Sequence, residues 1–537
     1  MIPVSNGWRT AHRQLLLPEA FVEIRYLATD PDVQETLTSS SEDEMFYSDS
    51  GSLVSELDKN VTYYSTLEDG LCLLDGNENY LPEDSNYGKT GYVSESCCND
   101  ECIFEKTPLI SITSNQIHEN AVLGITLTWS NAYHEFPVRY EVKVWKDNQV
   151  VSSYRVEDND SIFNALEFDY DNYNRITIEI FEWCLPNKRA RMEEVLIGVE
   201  KIYTKKDLMG FEHIQECDIL SGSLPKNEVT FKLDNSNNLW DPTNARGVEK
   251  YLMERQEIRV RYGYEINDNI EWINATRVYI SEWNVPSNGL EAIFTCKSLL
   301  DFMNSIYTGK RSGTLYEICE LALIQANLPL NRNGSYKWHI DEKLKNFTTN
   351  FEPEVGNGQD EYSISEVVQL CANAGGCIMY QDHLGQIRIE PKYLVLDDYW
   401  INALVNYSYP ELKTSKELKS VNVNDGLYTY SVSSKGEVQT IDNEFIVSET
   451  NAEEVAKWVG NTLKFRTTIS GNFRLDPRVE VTDLIGVEGK FGISYAVGLT
   501  KVALTYNGVF RGNYEGRVFE FKPVEASYVG LPFSGEV

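Results

Sequence analysis

The sequence predicts a mainly β protein with a small α/β part, in which two barrel-like β regions flank a helix–hairpin unit and a β-sandwich fills much of the first third. Three observations predict this. Apolar and polar residues alternate at period two over most of the chain, as in Ile125, Leu127 and Trp129 of GITLTWS. Helical spacing emerges only after Thr314, after Ser363 and from Ala452 to Leu463. Asn, Asp and Gly cluster between the alternating runs, where they serve as turn formers.

The chain has 537 residues, too many for one ordinary core, which points to three or four units. Hydrophobic residues make up 42% and include 32 Tyr, 21 Phe and 10 Trp, enough to exclude wholesale disorder. A formal charge of −34 repels a phosphate backbone, which counts against a sequence-reading nucleic-acid binder, while DNA in transit is allowed. No run approaches the ~18 apolar residues of a membrane span, and Met1-Ile-Pro-Val-Ser-Asn-Gly lacks the apolar core of a secretion signal. A soluble protein made in a cytosol is expected. The 10 cysteines are scattered, as suits mostly reduced thiols.

The elements follow in order. Phe21 to Leu27 reads as a strand, with Val22, Ile24 and Tyr26 alternating. Residues 30–110 then hold nineteen Asp and Glu against three Lys, a distinct acidic unit. Within it Thr36 to Glu56, rich in Ser and acids, reads as a mobile surface loop, because such a segment cannot bury enough surface to order itself alone. From about Pro108, runs led by Ile125, Tyr140 and Ile176 make an antiparallel sandwich closed by Val195, Ile197 and Val199. A second all-β stretch spans Tyr203 to Asp301, with LDNSNNLWDPTN as a dense turn. Thr314 with Glu317 and Ser363 with Glu366 have capping-box spacing, and Gly375-Gly376 ends the second helix. A hairpin from Cys377 to Glu390 turns at Asp382-His383-Leu384-Gly385, with Ile378 and Tyr380 facing Ile387 and Ile389. The last region is a barrel or curved sheet with a helix from Ala452 to Leu463, started by Asn451 and Glu454, and a turn at Tyr506-Asn507-Gly508.

Motifs for chemistry are sparse. Cys97, Cys98 and Cys102 could hold a metal with Cys72 or His118, or form a local disulfide, but a closed zinc site wants spaced pairs, and the spacing favours unlinked thiols. Asp234, Ser236 and Asn238 have the first spacings of a calcium loop, yet Leu239 and Trp240 follow where Gly and Glu are needed, so an Asx turn is favoured. The six histidines, His12, His118, His134, His213, His339 and His383, match no metalloprotease or nucleophile-elbow pattern. His213 has Glu216 three residues on, but Cys217 stands where a second His is required. No catalytic, cofactor-binding or metal residue is assigned, and no cofactor or enzymatic activity is expected. Trp129, Tyr133, Trp145 and Trp183 could stack on sugars, although the ends of apolar runs favour Trp129 and Trp183 as core.

The string SGSLPKNEVTFKLDNSNNLWDPTNARGVEKYLMERQEIRVRYGY, from Ser221 to Tyr264, resembles the signature of bacteriophage tail-tip and baseplate-hub proteins. TLYEICELALIQANLP and SISEVVQLCANAGGCIMYQDHLGQIRIEP are similar to the helix–hairpin segment that follows in such hubs, and GNFRLDPRVEVTDLIGV and TYNGVFRGNYEGR to their second barrel. TYYSTLEDGLCLLDG, SNYGKTGYVSES and PNKRARMEEVLIGVE resemble a galactose-binding-like jelly roll inserted near the front of hubs. The resemblance implies a first hub barrel from residues 1–32 and 203–300, an inserted acidic loop and jelly roll at 33–202, an α/β unit at 301–391, and a second hub barrel at 392–537. It implies a structural tail hub: a homotrimer forming a pseudo-sixfold ring in the virion tail tip, assembled in the host cytoplasm. Its partners would be tail-tube and distal-tail proteins, the tape-measure protein and other tip or receptor-binding proteins, with DNA only passing through. Two alternatives stay open: an adhesin for a host cell-surface glycan, acting through the jelly roll, and an envelope-degrading enzyme.

Overall fold

The computed structural model describes residues 1–14, 18–28, 33, 36–55, 61–66, 68, 90–131, 133–241, 243–244, 251–266, 269–286, 289–328, 336–351, 361–391, 396–402, 405, 408–490 and 493–523. The protein is mainly β, with few helices. Period-two burial is plainest in Lys226–Asp234, where Val229, Phe231 and Leu233 are buried and the residues beside them reach towards solvent.

That strand lies inside a 13-stranded sheet. Its path runs from Val199–Tyr203 through Ala20–Ala28, Glu257–Ile266, Asn269–Asn284, Glu291–Lys297, Lys226–Asp234 and Leu208–Glu216, and continues into Ile493–Tyr506, Phe510–Pro523, Thr467–Phe473 and Glu411–Thr414. Leu208–Glu216 pairs antiparallel with Ile493–Tyr506, from Phe211 opposite Tyr506 to Glu216 opposite Lys501. The regions expected as two barrels therefore share one sheet, and among the described strands its path is open. They also share a core, in which Tyr262 and Tyr264 pack their rings 5.2 and 5.6 Å from Phe510. Large rings bury much apolar area each, so this contact carries a sizeable part of the union.

The chain leaves the large sheet at Ala28, which pairs with Val199 where it returns. Between these points two antiparallel sheets face one another. One has the order Tyr92–Cys97, Arg189–Ile197, Val122–Trp129, Phe163–Tyr170; the other runs Leu37–Ser41, Leu109–His118, Tyr173–Trp183, Pro137–Lys146, Gln149–Val156. Ile125, Leu127 and Trp129 from the first meet Tyr140, Val142, Ile176 and Ile178 from the second in a separate core. Gly124 bulges its strand at φ +73°, where an added Cβ would lie 1.8 Å from the Leu166 carbonyl oxygen.

The Ser- and acid-rich segment expected as a surface loop is ordered instead. Leu37–Ser41 is a sheet strand, Ser52–Ser55 is a helical turn, and Leu37, Tyr47, Leu53 and Val54 are buried. Its acids are consumed locally: Glu44 accepts from the hydroxyls of Ser48 and Ser50, and Asp43 from Ser96. Composition counts such acids as solvated, whereas here they hold neighbouring serines. Glu56 lies outside the described residues.

Both capping boxes form, on Leu315–Gln325 and Ile364–Ala374. The hairpin pairs Ile378–Gln381 with Ile387–Glu390, but one residue away from the expected facing: Met379 opposes Ile389 and Gln381 opposes Ile387. Both faces of this hairpin are buried, Ile378 in the core of the large sheet and Met379 in that of the helices, so alternation alone cannot select the register. The last helix is Glu449–Leu463, capped by Ser448, which accepts from the Asn451 amide; Asn451 is buried within the helix and does not start it. This helix packs its Val455 and Val459 with Ile364, Val367 and Val421. Among the described residues no helix is long and apolar enough to cross a membrane.

Candidate functional site

The motif from Ser221 to Tyr264 is built into the fold at three buried positions. Asn235 follows the Lys226–Asp234 strand; its side chain accepts from the Trp240 amide at 3.0 Å and donates to the Gly289 carbonyl at 3.0 Å. The turn is thereby pinned, and Ser236 closes an Asx turn on Asp234 at 2.9 Å, as the spacing predicts. Pro242 and residues 245–250 lie outside the described residues. Gln256, 1% exposed, accepts from the Tyr26 hydroxyl at 2.7 Å and the Met253 amide at 2.9 Å, and donates to the Tyr251 carbonyl at 2.8 Å. At the motif's start, the Ser221 hydroxyl donates to the Cys377 carbonyl at 3.1 Å and accepts from the Met379 amide at 2.9 Å. Each of these polar groups is spent on structure.

A second buried cluster joins the large sheet to the helical part. Lys337 Nζ lies 3.1 Å from Glu257 and donates to the Tyr279 hydroxyl at 2.6 Å. Burial opposes the charge on Glu257, but Lys337 and then Arg259 hold its carboxyl well below the usual range.

Across the shared sheet, the solvent side alternates in sign. Glu228, Lys232, Glu212, Glu216, Lys501, Arg511 and Glu515 all stand on it, and Lys501 pairs with Glu216 at 3.6 Å. Ser408 and Tyr409 overhang a groove on this side, floored by Ile214, Ala503, Asn472 and Asn513.

The sequence-level candidates scatter. His213 is fully enclosed: its Nε2 donates to Asn227 Oδ1 at 2.9 Å, the only available role because the Asn227 amide donates to Thr276, and Nδ1 accepts from the Tyr262 hydroxyl at 2.8 Å. Burial lowers its pKa to about 4, so it is neutral. His118 sits beside the Thr36 and Ser114 hydroxyls at 3.1 Å. Cys98 donates to the Leu185 carbonyl at 3.1 Å, and Cys97, Cys98 and Cys102 are free thiols. Cys72 lies outside the described residues, among which no group of three ligating side chains could hold a metal. Trp129 and Trp183 are core, and Trp145 is covered by Arg175, whose guanidinium lies 4.4 Å from its ring centre. These aromatics form no shared platform.

One recess was not visible in sequence. It lies beside the paired strands Tyr92–Cys97 and Arg189–Ile197, is narrow enough to hold about one water molecule, and is lined by Tyr63, Tyr64, Ser130, Tyr133, Arg191 and Glu193. Tyr63 and Tyr133 meet edge to face at 5.1 Å. The Arg191 guanidinium stands 5.2 Å from the Tyr133 ring centre and binds Glu68 through both terminal nitrogens, with Glu135 at 3.6 Å. Burial disfavours the charge on Glu68, yet Arg191 outweighs it and holds the carboxyl below its ordinary range; burial leaves Glu135 raised. Glu193 accepts from the Asn131 amide at 2.6 Å and from Tyr63. These groups come from segments far apart in the chain, so no spacing rule reaches them.

No protein family matches the sequence, and no curated protein matches it. Among solved structures the chain is similar to the 43 kDa tail protein of prophage MuSo2 from Shewanella oneidensis, at 11% identity and TM-score 0.40 over 59% of this chain and 93% of that one. It is also similar to a tail protein from Neisseria meningitidis, at 9% identity and TM-score 0.39 over 60% of this chain and 93% of that one. Prophage tail protein gp18 from Listeria monocytogenes aligns at 10% identity and TM-score 0.36, over 59% of this chain and 90% of that one.

Proposed function

We propose that this protein is a structural component of a bacteriophage tail, a hub or tail-tip protein that works through assembled surfaces rather than an active site. The observation that carries this reading is where the motif's polar groups go: Asn235 and Gln256 pin turns at the ends of strands of one sheet that runs through both β regions, and Ser221 ties that sheet's connection to the helix–hairpin part. A motif that specifies a scaffold suits a connector. In this reading residues 1–32 with 203–300 and residues 392–537 supply two related hub elements, and 301–391 braces them. Three copies make a pseudo-sixfold ring that joins the tail tube to the tip, with tube, distal-tail and tape-measure proteins as neighbours and DNA passing through. The mixed signs on the solvent side of the shared sheet would offer a passing duplex little net attraction.

Residues 33–202 act as an inserted jelly roll. The strand order supports this: counted along the chain from Tyr92–Cys97, the first, eighth, third and sixth strands form one sheet and the second, seventh, fourth and fifth the other, which is the wrapping of a double Greek key. The virion tail tip is the proposed location. The test is mass measurement and electron microscopy of the purified chain, alone and with tube protein. Threefold particles are expected; a chain that stays monomeric at high concentration with tube protein present overturns the reading.

A further inference from the structure

With a net charge of −34, copies of this chain repel one another at long range, so a stable contact between them must bring opposite charges together. Two faces of the large sheet match in this way. On the first, Arg25, Arg259 and Arg277 stand side by side on three neighbouring strands, and Arg261 follows Arg259 on the same face. Three carboxylates pair with this row among the described residues, and each is shared between two cations. Glu23 binds Arg25 and Arg261, Glu200 binds Arg25 and lies 3.9 Å from Arg259, and Glu257 binds Arg259 and Lys337. Arg277 is left over: it forms no ion pair among the described residues, and its stem is held beneath Gly385, where an added Cβ would come within 2.8 Å of it. Arg25 and Arg261 stay 27% and 25% exposed, so the row is open to a partner.

The second face is the groove under Ser408 and Tyr409, towards the other end of the sheet, with a volume of about 620 Å³. Glu212, Glu411 and Glu515 line it, and none of the three forms an ion pair or a side-chain hydrogen bond among the described residues. Lys501, on the same wall, is already engaged by Glu216. Arg277 cannot reach these acids within its own chain, because its strand and that of Glu212 are three strand spacings apart, roughly 14 Å along the sheet. We propose that the arginine row of one copy docks on the acidic groove of the next, with the Arg277 guanidinium placed among Glu212, Glu411 and Glu515. A guanidinium suits this role because its planar fork meets carboxylates through paired hydrogen bonds. Tyr409, 57% exposed, adds aromatic surface at the contact. The two faces are different surfaces of one chain, so the contact is head-to-tail and repeats until a ring closes. The inference rests on the hub reading for the ring itself; it adds which surfaces meet and why strongly acidic copies hold together.

The test reads self-association of the full-length protein by sedimentation velocity across a concentration series. The apparent dissociation constant of the parent should rise roughly tenfold or more between about 0.05 and about 0.5 M NaCl. At the lower salt, Arg277→Gln should raise it roughly fivefold or more, and so should Glu411→Gln combined with Glu515→Gln. These substitutions break no bond within the described chain, so the variants should fold as the parent does. Joining the two sets should cost little beyond either alone, because both remove the same contact from its two sides. Arg155→Gln, on the sandwich, should leave association unchanged. A parent that stays monomeric overturns the hub reading and this contact together. A parent that assembles, but whose association ignores salt and both sets of variants, loses as much from Arg155→Gln, or shows fully additive losses, overturns this contact alone.

Discussion

The Tyr26 hydroxyl donates to Gln256 Oε1 at 2.7 Å, across 230 residues of chain. One partner lies on the strand that precedes the sandwich and the other closes the motif that follows it, so this bond ties together the two ends of the interrupted sheet. Gln256→Ala should cost about 2–4 kcal/mol, because it strands the Met253 amide in a dry interior and leaves the Tyr26 hydroxyl and the Tyr251 carbonyl only their long 3.4 Å contact. Tyr26→Phe should cost less, since Gln256 keeps its other two partners. Urea denaturation of the two variants gives the order.

Glu257 and Lys337 form the second predicted lock. Glu257→Gln removes the carboxylate that balances the buried Lys337 ammonium, and a loss of about 3–5 kcal/mol is expected. Lys337→Met should be milder, because Glu257 retains Arg259 at 2.5 Å. Equal losses in thermal unfolding would contradict the asymmetry.

His213 predicts a pH dependence. Its pKa falls from 6.5 to about 4 on folding, so between those values the unfolded chain binds the proton and the native state does not. Stability from this residue is present above pH 6.5 and drains away as pH falls towards 4, by roughly 3 kcal/mol in all. His213→Gln should flatten that limb of the stability profile relative to the parent.

Gly124 and Gly508 share a left-handed backbone, at φ +73° and +76°, but not a neighbourhood. Around Gly508 nothing lies within 4 Å of an added Cβ, so Gly508→Ala should cost about 1 kcal/mol of backbone strain. Gly124→Ala must also push aside the Leu166 carbonyl, and at least twice that loss is expected, with altered near-ultraviolet dichroism from the sandwich tryptophans.

What the sequence discloses here is what local rules control. Thr314, Ser363 and their glutamates announce two helices because capping is settled within four residues. Val229, Phe231 and Leu233 announce a strand because one face is wet. The hairpin register was missed because both faces of Ile378–Gln381 are dry, and the order in Leu37–Ser55 because Glu44 and Asp43 find their serines only after folding. The recess needed Tyr63, Tyr133 and Arg191 from three separate segments. Asn235 and Gln256 were legible as a pattern, but their use as buried staples was not.

Ala28 and Val199 stand directly opposite each other in neighbouring strands. Everything between them enters and leaves the platform by a single doorway, so the sandwich is a cassette: exchanging it for another module would leave the frame behind without re-engineering.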